Sequence, residues 1–399
     1  MPSPSAATRH IVIIGGGAVG SAVAHFLKLQ APGCAVTVVE RDPAYAQASS
    51  ALSASSIRQQ FSTAINIELS RFGLQFLREF GPRLTVNGEA PTIDFHEGGY
   101  LYLATPQGEA VLRDNHVLQK SMGADVALLS PDELRQRFDW LNTEGVVLGS
   151  LGLSGEGWFD GYTLLQALRK KAIGQGVRYM AAEAVGLDSH ASGGVGHVHA
   201  VRLADGSALA CTHVVNAAGP WARAVAGWAG IDLPVVGKAR TVFCVSCPTP
   251  LPHCPLLIDP SGIWLRPEGQ GFITGFAPPE DQDADFAPLE PDHAAFEDFV
   301  WPTLAERIPA FEALRVQSAW AGYYEMNTFD HNAIVGLHPA CDNLYFANGF
   351  SGHGLQQCPA VGRGLAELIL TGAWQTLDLG PVGFDRILRG EPLLEKNVI

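Results

Sequence analysis

Three glycines in GGGAVG, at positions 15, 17 and 20, together with the acid Glu40, are the residues whose types and spacing most directly imply chemistry. In a G-x-G-x-x-G turn the first glycine permits a tight bend, the second lets a pyrophosphate approach the backbone, and the third lets helix and strand pack. The following helix directs partial positive charge at the phosphates. Glu40 ends the next strand, twenty residues past Gly20, where it would accept from ribose hydroxyls. A tight glycine turn alone occurs in many α/β proteins. A strand before it, a helix after it and an acid at this distance point to a dinucleotide, NAD or FAD.

A second turn, GFSGHG from Gly349 to Gly354, precedes a long apolar-faced helix and again aims backbone N–H groups and a helix dipole at an anion. A reduced flavin is such an anion, its charge gathered at N1 and the C2 carbonyl; a nicotinamide has no equivalent need. The segment NAAGPWA, Asn216 to Ala222, reads as strand, glycine turn and helix start. It suits a backbone crossing close to the cofactor, or a plain helix cap.

The elements that must hold these turns follow from periodicity. HIVII (His10 to Ile14), a helix over Ala18 to Gln30 and AVTVVE (Ala35 to Glu40) make a β-α-β unit. A small-residue loop, Gln47 to Ser56, leads into an amphipathic helix from about Thr63 to Phe80. Further on, GYLYLAT (Gly99 to Thr105) reads as a strand, Ser130-Pro131-Asp132-Glu133 as a capped helix start, Gly161 to Ile173 as a helix and Val177 to Met180 as a strand. From Leu233 to about Glu325 strand-like runs dominate, broken by a helix near Pro291 to Ala305. The expected fold is α/β plus α+β: a Rossmann-type, glutathione-reductase-like FAD-binding domain from residues 8–90, 156–230 and 331–385, interleaved with a mostly antiparallel substrate domain from residues 91–155 and 231–330.

At 399 residues, 47% hydrophobic and 17% charged, the chain can bury a large core, and its net charge of -14 opposes a nucleic-acid surface. Seven scattered cysteines suggest reduced thiols, and the start MPSPSAATRH has no apolar leader pattern, so a cytoplasmic location is expected. No run of 18 apolar residues suggests a membrane span. Cys244 and Cys247, with His253 and Cys254 nearby, are not expected to bind metal: no second CxxC completes the ligand set.

The glycine motif with Glu40, NAAGPWA, AWAGYYEMNTFDHNAIVG (Ala319 to Gly336) and NGFSGHGLQQ (Asn348 to Gln357) resemble the D-amino-acid-oxidase superfamily, in its sarcosine oxidase and dimethylglycine dehydrogenase branch. The resemblance covers nearly the whole chain. It implies an extended FAD and oxidation of carbon-nitrogen bonds in amino acids or N-methylated amino acids. It places Gly15, Gly17, Val19, Gly20, Glu40 and Arg41 on the ADP half, Val185 beside the adenine, and Ala218 and Gly219 along the pyrophosphate. Ser49, Ser50 and Ser53 fall in the flavin loop, and Gly352, His353, Gly354, Leu355 and Gln356 under the pyrimidine edge. Ala18, Trp221, Gly322, Phe350 and Ser351 complete the expected cofactor set.

The residues expected to act on substrate are Arg58, Tyr323, Tyr324, His353 and Gln356. Arg58 matches the arginine that grips the substrate carboxylate in sarcosine oxidases, a task suited to a guanidinium fork; the alternative is an interdomain ion pair. Tyr323 and Tyr324 fall among pocket aromatics, or are ordinary packing. His353 either touches the flavin or caps a helix. The lysine of sarcosine oxidases falls on Gln356 and the arginine of glycine oxidases on Tyr324, so a second cationic clamp is missing unless Lys238 or Arg240 replaces it. Hydride transfer to flavin N5 from carbon beside a neutral amine, giving an imine that hydrolyses, needs positioning more than a strong base.

The covalent-flavin cysteine of the family falls on Tyr323 and the flavin loop lacks histidine, which implies non-covalent FAD. The oxygen-activating lysine falls near Ile273, which tilts the expectation toward a dehydrogenase passing electrons to a quinone or an electron-transfer protein rather than to oxygen. Two other readings stay open: an assembly factor for a respiratory complex with a vestigial flavin site, and a 2-hydroxy-acid dehydrogenase.

Overall fold

The run HIVII forms strand β1 (His10–Ile14), buried along four of its five residues, as a central parallel strand with both faces covered should be. The computed structural model describes residues 9–396. Helix α1 (Ala18–Gln30) returns the chain to β2 (Ala35–Glu40), which pairs in parallel with β1, Ile11 opposite Val36 and Ile13 opposite Val38. Helix α2 (Ala64–Arg78) stops short of the Thr63 to Phe80 expectation, and a short helix Phe80–Leu84 follows. The break has a covalent cause: Pro82 lacks the N–H that would bond back to the Arg78 carbonyl.

Four strands and one helix complete the frame of the site: β3 (His213–Asn216), β4 (Val235–Ser246), β5 (Arg315–Asn327), β6 (Cys341–Asn348) and α3 (Gly354–Thr371). In the first sheet Val195–Leu203, β6, β3, β1, β2 and Arg178–Ala181 lie side by side and parallel, with antiparallel strands Ala208–Ala210, Ala184–Ser192 and Ile334–His338 added at the margins. In the second, β5 and β4 lead through Gly271–Gly275, Trp264–Glu268 and Leu256–Ile258 to Tyr100–Ala104, Leu148–Gly152 and Val126–Leu129. Every neighbour pair there is antiparallel except Leu256–Ile258 with Tyr100–Ala104. A Rossmann-type sheet interleaved with a mostly antiparallel one is the expected fold class.

The expected helix over Pro291 to Ala305 is more broken. A turn at His293–Ala295 widens into i+5-bonded backbone over Phe296–Val300 before closing as an α-helix at Trp301–Arg307. Pro302 cannot donate to the Asp298 carbonyl, which removes the bond that a continuous α-helix would need there. Among the described residues no helix is long and apolar enough to cross a membrane.

Both sheets reach the site through long-range packing. Helix α1 lies between α3 and the helix Gly161–Gly174, burying Ala22, Val23, Phe26 and Leu27 in one core with Val361, Leu365, Leu164 and Leu168. Burying a leucine- or phenylalanine-sized side chain stabilises by about 1.5–3 kcal/mol, so this cluster fixes the β1 turn and the α3 start to one body.

Candidate active site

The β1–α1 turn is built by steric necessity. Gly15 has φ +100°, and a Cβ there would collide with the Ala217 carbonyl; one on Gly20 would collide with the Gly15 carbonyl. A Cβ on Gly17 would meet only Ser50 Oγ, at 3.4 Å, so this glycine keeps open the space in front of the α1 N-terminus. Glu40 accepts from the Gly16 N–H at 2.7 Å and the Asp42 N–H at 2.8 Å. Each carboxylate oxygen retains a second lone pair for a ribose hydroxyl. Arg41 lies over the Trp221 ring, 3.7 Å from its centroid, closing this end of the cleft by cation–π contact.

The β6–α3 turn forms the other end. Gly349, Ser351 and Gly352 all have positive φ, at 70°, 49° and 94°. The turn is tied to β5, because the Ser351 N–H donates to the Glu325 carbonyl at 3.0 Å and the Asn327 N–H to Ser351 Oγ at 3.0 Å. No acidic side chain occupies the first turn of α3, so its N-terminal partial charge is left for another anion.

One cleft joins the two ends, lined by Gly15, Gly17, Ala18, Val19, Glu40, Arg41, Ser49, Ser50, Ser53, Ala218, Gly219, Trp221, Gly322, Tyr323, Tyr324, Phe350, Gly352, Gly354 and Leu355. Gly20 sits behind the wall as a packing residue, and Ser351, His353 and Gln356 stand behind the α3 turn. Val185 lies one residue past the lining run Ala182 to Ala184 and is 45% exposed.

Three buried polar atoms of the wall, Tyr45 Oη, Ser49 Oγ and Glu325 Oε2, have no hydrogen-bond partner among the described residues. Such atoms are costly to leave unpaired, and a ligand rich in donors and acceptors would satisfy them. Burial pushes the Glu325 carboxyl up to about 8, opposed by the backbone N–H groups of Gly349 and Phe350 beside it. With the space before Gly17, these atoms fit a dinucleotide that runs from the α1 N-terminus to the α3 N-terminus.

Beside the α3 end of the cleft, Arg58 and its neighbours meet residues of α3 and of the second sheet. Arg58 is 2% exposed and outside the cleft lining, its Nη1 3.4 Å from Tyr100 Oη, its Nη2 3.0 Å from His353 Nε2, and its Cζ 4.6 Å from the Phe61 centroid. Gln356 turns its Oε1 to the Arg58 N–H at 2.9 Å and the Ser70 hydroxyl at 3.1 Å, bracing the backbone just after the short strand Ser56–Ile57. Glu156, fully buried and pushed up to about 7 by that burial, accepts from the Gln59 N–H and, at 2.7 Å, from Gln60 Nε2. Tyr323 donates to the Ala287 carbonyl at 2.9 Å, and Tyr324 packs so closely on Gly352 that a Cβ there would come within 2.6 Å of its ring.

Sequence reasoning left Tyr45, Trp264 and Glu325 without a role, although all three line the cleft. For Glu325 a signal existed: an acid between two tyrosines and an apolar methionine in a strand-like run. Of the two lysine or arginine replacements considered, Arg240 lines the cleft, whereas Lys238 pairs with Asp285 at 2.8 Å.

Comparison with known proteins agrees with this geometry. A family model described as FAD dependent oxidoreductase, DAO, matches residues 10–368. The chain is 44% identical to FAD-dependent oxidoreductase domain-containing protein 1 of Xenopus laevis, over 98% of this chain and 84% of that protein. It is 25% identical to the mitochondrial sarcosine dehydrogenase of Mus musculus, over 93% of this chain and 40% of that protein. The crystal structure of L-proline dehydrogenase from P. horikoshii superposes with a TM-score of 0.81 at 25% identity, covering 96% of this chain and 99% of that one. FAD is thus the nucleotide for which the cleft is shaped, and the chain belongs to the DAO family of FAD dependent oxidoreductases.

Proposed function

We propose that the protein oxidises the carbon-nitrogen bond of a small amino acid or N-substituted amino acid, with residues 8–90, 156–230 and 331–385 holding FAD and residues 91–155 and 231–330 forming the substrate side. The observation that carries this reading is the meeting, at the α3 end of the cleft, of an aromatic wall with two guanidinium groups: Tyr323, Tyr324, Trp264 and Arg240 of the second sheet on the lining, and Arg58, from the loop after Ser56–Ile57, behind it. Aromatic faces exclude water and orient an aliphatic amine; a guanidinium fork selects a carboxylate. The names of the similar sarcosine and proline dehydrogenases support the same substrate class.

When bound, FAD accepts the hydride. The chain's part is to hold the substrate carbon in register, to keep the amine neutral by desolvation and to offer fixed dipoles from the α3 N-terminus. His353, buried beside Arg58 and held well below the usual imidazole range first by burial, stays neutral and accepts from the Arg58 guanidinium, leaving Arg58 as the charged member of the pair. The oxygen-activating lysine of sarcosine oxidases falls near Ile273, a buried apolar residue, and this supports the reading of a dehydrogenase that passes electrons to an acceptor other than oxygen. The test is anaerobic titration of the holoprotein with N-methyl and cyclic amino acids, followed by flavin absorbance. Bleaching by members of this panel is the expected result; bleaching only by 2-hydroxy acids, or by nothing, overturns the reading.

A further inference from the structure

The cleft wall opposite the dinucleotide turn carries a cation already gripped by the protein's own carboxylate. Arg240, on β4, has a side chain 9% exposed, lines the cleft and holds its Cζ 5.6 Å from the Tyr324 ring centroid. Both terminal nitrogens go to Asp283, Nη1 to Oδ1 at 2.7 Å and Nη2 to Oδ2 at 2.8 Å. This is the two-pronged geometry that a guanidinium offers any carboxylate, including a ligand's.

Asp283 does not belong to either sheet. It lies in the stretch between the strand Gly271–Gly275 and the turn at His293, whose regular structure is one short turn, Glu280–Gln282. Besides Asp283, this stretch is fastened to the second sheet by few bonds. Lys238 Nζ meets Asp285 at 2.8 Å and the Asp283 carbonyl, the Phe286 N–H donates to the Gly237 carbonyl at 2.7 Å, Tyr323 Oη donates to the Ala287 carbonyl at 2.9 Å, and the Asp292 N–H donates to Thr241 Oγ1 at 3.2 Å. Tyr323 and Thr241 line the cleft together with Arg240, and Phe276 and Ala277 at the start of the stretch line it as well.

Leaving Arg240 buried and unpaired would be costly, but exchanging one carboxylate for another conserves both charge-assisted hydrogen bonds. The displaced Asp283 would recover hydration, since the stretch that bears it runs along the surface through exposed Glu280, Asp281 and Gln282. We propose that Arg240 is a carboxylate seat of the cleft and that Asp283 is a built-in competitor, displaced when a ligand carboxylate enters, which frees the segment around residue 283 from its Arg240 anchor. The proposal rests on the reading that the substrate is an amino acid only for the identity of the natural carboxylate; the exchange itself requires no oxidation.

The test titrates the FAD-loaded protein with benzoate, which carries a carboxylate and no amine, and reads the perturbation of the flavin absorbance band. Asp283→Asn removes the competing charge at nearly constant volume and is expected to tighten benzoate binding about tenfold or more, a change of roughly 1.4 kcal/mol. Benzamide, the uncharged analogue, should bind the two proteins alike. Arg240→Gln should abolish the benzoate response while the flavin band of the unliganded protein stays in place. Benzoate affinity unchanged or weakened in Asp283→Asn overturns the proposal. Should that variant fail to fold, the wild-type protein still decides. Benzoate should accelerate cleavage after Glu280 by a glutamate-specific protease, and cleavage there indifferent to benzoate overturns the proposal equally. These outcomes are separate from turnover: flavin that no amine reduces, with benzoate binding tightened by Asp283→Asn, would sink the carbon-nitrogen reading and leave the seat standing.

Discussion

Arg58 Nη2 lies 3.0 Å from His353 Nε2, and since a guanidinium only donates, that imidazole nitrogen must accept. His353 is therefore neutral with its proton on Nδ1, in keeping with the fall of its pKa well below the usual value, caused first by burial and then by the Arg58 charge. His25, buried in the α1 core, is lowered to about 4 by the same desolvation. In the unfolded chain both imidazoles take up protons below about pH 6.5, while the fold keeps them off, so stability falls as pH falls through this window. Buried Glu156 and Glu325, both raised, act in the opposite direction over this range, so the histidine contribution is read as a difference: wild-type midpoints should fall relative to those of the double variant His25→Asn, His353→Asn as pH drops from 6.5 toward 4. A constant offset between the two proteins across this range would remove the histidines from the assignment.

Arg58→Ala is expected to raise KM for an amino-acid substrate roughly 10- to 100-fold, the value of about 1.5–3 kcal/mol for a hydrogen bond to a charged group. The flavin spectrum should hold, because Arg58 lies outside the residues that line the cleft. KM values unmoved for every active substrate would remove Arg58 from the anchor role.

What was legible in the sequence was local. Gly15, Gly17, Gly20 and Glu40 announce their turn within thirty residues, and Gly349 to Gly354 announces the α3 start, because in both cases backbone conformation demands the residue type. The hairpin Ala184–Ser192 with Val195–Leu203 went unread, although Gly193 and Gly194, both with positive φ, form its two-residue turn. Its exposed histidines, His190 and His199, blur the apolar alternation that marks a strand. The Arg240–Asp283 pair was illegible for another reason: 43 residues separate the partners, and one sits in irregular backbone that no periodicity describes. Glu325 looked like a strand acid because its burial depends on β4 and on the β6–α3 turn closing over it.

The glycine turn separates folding from binding. Gly17→Ala should fold with a midpoint within a few degrees of wild type, since its Cβ meets only Ser50 Oγ, yet it should lose FAD affinity at least tenfold by filling the pyrophosphate approach. Gly15→Ala, whose Cβ would strike the Ala217 carbonyl at a positive φ, should lower the midpoint itself. Circular dichroism melts and FAD fluorescence titration measure the two effects; a Gly17→Ala protein that binds FAD normally would place the pyrophosphate elsewhere.

The flavin should not be covalently attached. The resemblance puts the family's covalent-flavin cysteine on Tyr323, whose hydroxyl is committed to the Ala287 carbonyl, and Ser49 to Ser56 contains no histidine. Acid precipitation of the holoprotein should leave the yellow colour in the supernatant. Colour in the pellet would contradict this.

Glu325 gives the opposite pH signature to the histidines. Its folded pKa, raised to about 8 by burial, exceeds the usual 4.5, so the unfolded chain releases a proton that the fold retains, and stability is lost as pH rises from 4.5 through 8. Glu325→Gln carries no ionisable proton and should melt higher than wild type at pH 8 as apoprotein. With FAD bound, the neutral carboxyl can donate from Oε2, which has no partner among the described residues, to an acceptor on the cofactor. Above pH 8 an ionised carboxylate would face that acceptor instead, so wild-type FAD affinity should weaken with rising pH while the glutamine variant, still a donor, stays level. Other titratable groups of the cleft, Glu40, Arg41 and Asp42 at the β2 end, Tyr45, Glu183, Arg240 on β4, and Tyr323 and Tyr324 on β5, are common to both proteins and cancel in the comparison. Parallel pH dependences of FAD binding in the two proteins would show that Glu325 is not the group that titrates.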